Sequence, residues 1–227
     1  MAKTFSFRIP KTHHEVRFSI ELAAIFAIFA LCVVSFAKIA NEVVERESIR
    51  FDLPILHWVH SLASPALDRI VPIMTDIGGP IGGVLLAGIV TVLFWLKGKK
   101  REAYVLAFCS AGAAILNVLL KATFMRARPD EWTRLVTENS YSFPSGHAMA
   151  SAALGFALVA VLWRTKYRWA AVIGATIYML LIGFTRLYLG VHYPSDILAG
   201  WLLSAAWTSL VVVMMYRRLS RRNDLTN

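Results

Sequence analysis

The feature that most constrains this chain is a series of six long apolar segments separated by shorter polar stretches. A helix that crosses the hydrocarbon core of a membrane needs about 20 apolar residues, with a range of about 17–25. Because the bilayer interior offers no hydrogen-bond partner to backbone groups, such segments fold as helices. The six segments are residues 20–37, 78–96, 103–120, 146–163, 169–184 and 197–216.

Composition agrees with a membrane protein, since 57% of the 227 residues are hydrophobic and only 17% are charged. These values exclude a disordered chain and an ordinary soluble domain. We predict an all-α polytopic membrane protein with six transmembrane helices, forming a single domain over residues 1–227. The stretch 38–77 carries Pro54 and Trp58 among apolar residues, which predicts short interfacial helices lying on the bilayer.

The placement of positive charge predicts the orientation of the spans. Basic residues cluster in residues 3–17, in loops 97–101 and 164–168, and in the C-terminal tail, whereas the other span ends carry nearly balanced charge. Since basic residues mark the cytoplasmic side, both termini should be cytoplasmic, in agreement with an even number of spans. The net charge of +10 is then explained without a nucleic-acid partner.

Three clusters of polar residues lie at the non-cytoplasmic ends of spans. Placing polar or charged side chains in a membrane is energetically unfavourable, so these residues are candidates for a function. The first, Lys121-x6-Arg128-Pro129, follows the third span. Lys supplies a point charge, and the planar Arg fork matches the oxygens of a phosphate. Snorkelling of both side chains to lipid headgroups would also explain this cluster.

The second cluster, Pro144-Ser145-Gly146-His147, opens the fourth span. Free N–H groups at a helix start bind anions, Gly lets a ligand approach the backbone, and His147 could donate a proton. An ordinary helix start with an interfacial His is the alternative interpretation.

The third cluster, Thr185-Arg186-x5-His192-x3-Asp196, joins the last two spans. A carboxylate four residues after a His can hold one ring nitrogen and leave the other as a nucleophile. A His–Asp pair that only caps a helix is the alternative. Taken together, however, the clusters bring cations, amide donors, two histidines and a carboxylate to one membrane face. A phosphate monoester or diphosphate is the ligand that uses the whole set.

The three ordered motifs resemble the type 2 phosphatidic acid phosphatase family, which is related to vanadium haloperoxidases and bacterial acid phosphatases. The family's pattern is Lys-x6-Arg-Pro, then Pro-Ser-Gly-His, then Ser-Arg-x5-His-x3-Asp. This chain matches it across spans three to six and departs from it at Thr185, where the pattern has Ser. Thr keeps the hydroxyl group.

The resemblance implies a metal-independent and cofactor-free phosphatase with a covalent phosphohistidine intermediate. His192 would attack phosphorus, Asp196 would orient it, and His147 would protonate the leaving oxygen. The implied phosphate-binding groups are Lys121, Arg128, Arg186 and the backbone N–H groups near Ser145 and Gly146. No acidic cluster suited to Mg²⁺ is evident near these motifs, and Cys32 and Cys109 both lie in apolar runs.

A site near the outer interface favours a lipid phosphate or diphosphate whose tails enter sideways between helices. Undecaprenyl diphosphate is favoured, with phosphatidylglycerophosphate and phosphatidic acid next. The alternatives are a phosphotransferase that passes phosphate to another lipid such as lipid A, and a non-catalytic lipid or anion transporter. We expect a bacterial inner-membrane location, a site facing the periplasm or exterior, and residues 131–141 as a mobile lid. The oligomeric state is left open.

Overall fold

The computed structural model describes residues 13–45 and 49–223 of the chain. Within these two ranges the backbone forms eight α-helices and no strand. The helices are α1 (His13–Val44), α2 (Asp52–His60), α3 (Pro65–Ile77), α4 (Pro80–Leu96), α5 (Lys100–Phe124), α6 (Gly146–Leu162), α7 (Arg168–Tyr188) and α8 (Pro194–Asn223). The all-α prediction is therefore confirmed for the described part of the chain.

The predicted count of six spans is not confirmed, although each of the six apolar segments lies on a helix. Among the described residues, four segments are long and apolar enough to cross a membrane: Ile20–Val44, Lys100–Phe124, Arg168–Tyr188 and Pro194–Met215. Helices α3 and α4 together make a fifth candidate, bent by 46° at their junction. The apolar helix α6 has 17 residues. At about 1.5 Å per residue it is shorter than the roughly 30 Å hydrocarbon core.

The segment expected to hold interfacial helices does contain two helices, α2 and α3. Ser64 caps α3, because its hydroxyl accepts a hydrogen bond from the Leu67 amide, and Pro65 suits the first helical position. Helix α3 leads into α4 through Gly78 and Gly79. The bent α3–α4 pair can thus serve as one broken span, which differs from a helix lying flat on the bilayer.

Helix α6 lies at the centre of the bundle and packs against α4, α5, α7 and α8. Its buried positions are mostly small: Ala148, Ser151, Ala152, Ala153, Gly155 and Ala157. Small side chains let neighbouring helices approach closely, which is how helices associate where lipid weakens the hydrophobic driving force. The position of the N-terminal end of α6, which carries the second motif, is therefore fixed by contacts along the helix.

The helix ends that carry the three motifs meet at one end of the bundle. There α5 and α7 end, and α6 and α8 begin. The backbone N–H of Ser145, which caps α6, donates to the carbonyl of Asp196 in the first turn of α8 at 3.1 Å. Loops 97–101 and 164–168 lie at the other ends of these helices. The basic residues at positions 3–11 lie outside the described residues.

Candidate active site

His192 lies in the short connection between α7 and α8, and its side chain is only 1% exposed. Its Nδ1 is 3.3 Å from Asp196 Oδ2, and its Nε2 is 3.1 Å from Arg128 Nη1. A guanidinium group can only donate hydrogen bonds, so Nε2 must be the accepting nitrogen. The proton then resides on Nδ1 and faces the Asp196 carboxylate, and the lone pair of Nε2 faces Arg128.

The electrostatic environment keeps the His192 imidazole neutral. Burial lowers the pKa of His192 well below its ordinary value, and the positive charges of Arg186, Arg128 and Lys121 lower this pKa further. A neutral imidazole with Nε2 unprotonated is the form that can attack an electrophile.

Asp196 is fully buried in the first turn of α8 and is held by several donors besides His192. Oδ2 accepts from the Ser142 hydroxyl and the Tyr193 amide, each at 2.9 Å. Oδ1 accepts from Arg126 Nη1 at 2.6 Å. Buried carboxylates need such donors to remain charged. The carboxylate is thereby fixed in the orientation that faces the imidazole.

Two of the predicted phosphate-binding cations come from the end of α5 and the loop after it. Lys121 Nζ donates to Ser140 Oγ at 2.9 Å. Arg128 Nε donates to the Ser140 carbonyl at 2.8 Å, and its Nη1 donates to the Val191 carbonyl at 2.7 Å. Ser140 therefore ties both cations to one loop, and Val191 ties Arg128 to the residue before His192.

The third cation, Arg186, comes from the last turn of α7 and is 1% exposed. Its Nη1 donates to Thr75 Oγ1 at 2.9 Å, and its Nη2 contacts the Glu138 carboxylate. Its buried Nε has no hydrogen-bond partner in the described part of the chain. A buried unpaired N–H on a guanidinium group is costly unless a ligand accepts from it. A phosphoryl oxygen has the required charge and geometry.

The Glu138 carboxylate contacts two of these cations at once. Its Oε2 is 3.4 Å from Arg128 Nη2, and its Oε1 contacts Arg186 Nη2. Glu138 belongs to segment 131–141, in which we predicted a lid. The place between Arg128 and Arg186 therefore holds an anionic group, which supports the interpretation of this end of the bundle as an anion site.

The start of α6 is built as the sequence predicts, with one difference in its donors. Ser145 caps the helix, accepting from the Ala148 amide at 3.4 Å. Its own N–H is committed to the Asp196 carbonyl, so the first-turn amides of Gly146 and His147 are the donors left for a ligand. A Cβ on Gly146 would lie 2.9 Å from Asn117 Oδ1, so the Asn117 side chain would have to shift to admit any larger residue. Asn117 in turn donates to the Pro144 carbonyl at 2.9 Å.

His147 lies in the first turn of α6, partly exposed. The positive charges of Arg186, Lys121 and Arg128 interact electrostatically with the His147 ring, and His192 does so as well. Its Nε2 would be 3.3 Å from a Cβ built on Gly79, so the turn between α3 and α4 passes close to the ring. The structure therefore brings all eight predicted residues to one end of the bundle: His192, His147, Asp196, Lys121, Arg128, Ser145, Gly146 and Arg186.

The sequence analysis did not single out several polar residues that contact this set directly or through one neighbour, among them Thr75, Glu138, Arg126 and Asp52. Thr75 and Glu138 bind Arg186, Arg126 binds Asp196, and Asp52 binds Arg126 at 2.8 Å. Arg126 could have been noticed, since it lies two residues before Arg128 after an apolar span. The other three have no local signal, because their partners are distant in sequence. Among the described residues, no group of three or more His, Cys, Asp or Glu side chains could hold a metal ion.

The chain is similar to known proteins over the region that holds these motifs. The model of the PAP2 superfamily matches residues 102–220. Phosphatidylglycerophosphatase B of Bacillus subtilis is 31% identical over 147 residues, which cover 63% of this chain and 72% of the relative. An undecaprenyl-diphosphatase of Sulfolobus acidocaldarius is 29% identical over 132 residues, which cover 56% of this chain and 61% of the relative.

A crystal structure supports the same relationship. It is that of a transmembrane PAP2-type phosphatidylglycerolphosphate phosphatase from Bacillus subtilis, with a TM-score of 0.68 and 26% sequence identity. The match covers 82% of this chain and 93% of that chain. The ordered motifs, the match over more than half of the chain and the shared fold show that this protein belongs to the PAP2 superfamily.

Proposed function

We propose that this protein is a membrane phosphatase that hydrolyses a lipid phosphate or lipid diphosphate through a phosphohistidine intermediate. The observation that carries the proposal is the contact of Arg128 Nη1 with the accepting Nε2 of His192 at 3.1 Å, on a buried ring that the positive charges of Arg186 and Lys121 also influence. An anion-binding site alone would need only the cations. A neutral imidazole backed by a buried carboxylate, with a second His nearby, is a nucleophilic arrangement.

In the first step, the Nε2 lone pair of His192 attacks phosphorus while the bond from phosphorus to the lipid-side oxygen breaks. That oxygen takes a proton from His147 and leaves as the lipid alcohol or, for a diphosphate, as the lipid monophosphate. Asp196 stabilises the positive charge that forms on the His192 ring. In the second step, water attacks the phosphohistidine, His147 accepts a proton from the water, and the N–P bond breaks to release inorganic phosphate.

The cations stabilise the charge that spreads over the equatorial oxygens of the transferred phosphoryl group. The guanidinium groups of Arg128 and Arg186 would each donate two hydrogen bonds to phosphoryl oxygens, and Lys121 would add a positive charge. The backbone amides of Gly146 and His147 would donate further hydrogen bonds. Fixed cations of this kind can take the place that Mg²⁺ holds in other phosphoryl-transfer enzymes, so we propose a metal-independent reaction.

Lipid substrates are supported by the apolar helices around the site and by the relatives. One relative is named for phosphatidylglycerophosphate and another for undecaprenyl diphosphate. These two lipids share a phosphate group at the membrane surface, and both are first candidates here. Within this proposal, the whole chain acts as one domain in a bacterial inner membrane. Both termini are cytoplasmic and the site faces the exterior, as the distribution of basic residues predicts.

The test is phosphate release by the purified protein in detergent micelles with excess EDTA. The substrates are undecaprenyl diphosphate, phosphatidylglycerophosphate, phosphatidic acid and a soluble phosphomonoester. His192→Ala should abolish release, because it removes the attacking nitrogen. The matched control is His57→Ala, which removes a His on α2 that lies 3.3 Å from Glu131.

Each outcome has a defined meaning. Release in EDTA that depends on His192 and not on His57 would support the proposal, and the rates would rank the lipids. Full activity in a folded His192→Ala protein would exclude His192 as the nucleophile. Loss of substrate phosphate without free phosphate, in the presence of a second lipid, would indicate transfer to that acceptor. Binding without any turnover would favour a transporter.

A further inference from the structure

Behind Asp196 lies a second layer of buried charge that the proposed reaction does not yet use. Arg126 bridges two carboxylates: its Nη1 is 2.6 Å from Asp196 Oδ1, and its Nη2 is 2.8 Å from Asp52 Oδ2. Both carboxylates are buried, with Asp52 3% exposed and Asp196 0% exposed. The order of charges from the nucleophile outward is therefore His192, Asp196, Arg126, Asp52.

Asp52 is held firmly in this position. It lies in the first turn of α2, and its Oδ1 accepts from the Ser195 amide at 2.8 Å. Its Oδ2 also accepts from the Ser195 hydroxyl at 2.6 Å. The Arg126 guanidinium lies over the Tyr193 ring, 4.1 Å from its centroid. The two residues on either side of Pro194 therefore fix the Asp52–Arg126 pair against the start of α8.

The charges of this group matter because the site is buried. Without Asp52, the positive charge of Arg126 would cancel the negative charge of Asp196. His192 would then lose the counter-charge that stabilises its positively charged intermediate. Asp52 adds a second carboxylate, so the group Asp52–Arg126–Asp196 has a net charge of −1. Burial alone would lower the pKa of Arg126, but Asp196 and Asp52 outweigh it and raise that pKa, so the Arg stays charged.

We propose that Asp52 is a positioning residue for the phosphatase reaction, which balances Arg126 so that Asp196 keeps its negative charge for His192. The inference rests on the proposed function, in which His192 becomes positively charged. Asp52 lies outside residues 102–220, which the family model matches, so the inference extends the functional site to α2.

A structural role, in which Asp52 only docks α2 on α8, predicts a different outcome for a double variant. Asp52→Asn leaves Arg126 to cancel Asp196, giving a net charge of zero. Asp52→Asn combined with Arg126→Gln removes the cancelling cation and returns the group to −1. If charge balance is the function, the double variant regains part of the activity that the single variant loses. If docking is the function, the double variant is at least as impaired.

The kinetic test compares kcat and KM of the wild type, Asp52→Asn and the double variant, with phosphatidylglycerophosphate in micelles. Replacing a residue that orients a metal ligand typically costs about 10–100-fold in metal affinity or activity, and we take the same scale for a residue that orients a catalytic carboxylate. We expect Asp52→Asn to lower kcat by about tenfold or more on this scale. KM should change little, because Lys121, Arg128 and Arg186 keep their contacts. The control is Asp68→Asn, which removes an α3 carboxylate bonded to Tyr188 Oη at 2.6 Å and should leave kcat unchanged.

A second measurement needs no substrate. The ¹⁵N NMR spectrum of histidine-labelled protein, assigned with His192→Gln, reports which ring nitrogen of His192 carries the proton. We expect Nδ1 protonation in the wild type and a mixture of tautomers in Asp52→Asn.

An unchanged kcat, an unchanged tautomer in folded Asp52→Asn, or a double variant no more active than the single would overturn the inference. Phosphate release that persists in folded His192→Ala would overturn the proposed function instead, and the tautomer measurement would then show only whether Asp52 helps to orient the His192 ring.

Discussion

Replacing Glu138 with Gln should tighten the binding of phosphate, because the carboxylate contacts the same arginines that we propose for the substrate. In the structure Glu138 lies between Arg128 and Arg186. A phosphoryl group must displace the Glu138 carboxylate before the guanidinium groups of both arginines can donate hydrogen bonds to phosphoryl oxygens. Gln has the same shape and no charge, so the substitution weakens this competitor while it changes the volume of the site very little.

The expected gain in phosphate affinity follows from the hydrogen bonds that the Glu138 carboxylate loses when phosphate displaces it. A hydrogen bond to a charged group contributes about 1.5–3 kcal/mol, and the Arg128 contact at 3.4 Å is too long to count fully. Glu138 is 24% exposed, so water can solvate the displaced carboxylate. Counting one charge-assisted bond at the low end, about 1.5–2 kcal/mol, gives a gain in phosphate affinity of roughly 10- to 30-fold.

The assay is the inhibition constant of inorganic phosphate against lipid hydrolysis, measured for wild type and Glu138→Gln. The matched control is Glu131→Gln, in the same segment, whose carboxylate lies 3.3 Å from His57. We expect a lower inhibition constant for Glu138→Gln and no change for Glu131→Gln. An unchanged or higher constant in Glu138→Gln would refute the reasoning and would indicate that Glu138 orients the arginines. Equal shifts in both variants would indicate a general effect of loop charge.

Two further predictions concern His192 and Gly146. Because the pKa of His192 is lowered in the folded state, the unfolded chain binds more protons below pH 6.5, and stability falls as pH decreases. His192→Gln should therefore lose less thermal stability than wild type between pH 7.5 and 5.5, and an equal loss in the two proteins would contradict this. Gly146→Ala should impair turnover, since its Cβ would lie 2.9 Å from Asn117 Oδ1. Adding Asn117→Ala should restore part of kcat if that contact is the cause, and no restoration would refute it.

Much of the candidate site could be predicted from the chain itself, because its residues occur in short motifs at helix ends. A run of apolar residues predicts a helix, and the polar residue that follows it must lie at the membrane surface. The order of spans then brings Lys121, Gly146 and Arg186 to the same end of the bundle. The eight predicted residues do meet there, while their individual catalytic roles stay proposals.

The count of spans was harder to predict, because hydropathy measures composition and not where a helix begins and ends. Helix α6 has only 17 residues, and α4 continues from α3 across a 46° bend. A central helix packed on several sides can be short, since neighbouring helices cover it. Such coverage depends on tertiary contacts, which periodicity and composition do not report.

The sequence by itself determined the helices, the position of each motif at a helix end, and the residue types from which we propose a phosphate site. These properties depend on residues that are close together along the chain. Only the tertiary structure decided which nitrogen of His192 faces Asp196, which carboxylate lies between Arg128 and Arg186, and that Asp52 pairs with Arg126. Arg126 and Asp52 are 74 positions apart, and Glu138 and Arg186 are 48 apart. A buried charge takes the partner that the fold brings within reach, so these pairings are set by packing and electrostatics together.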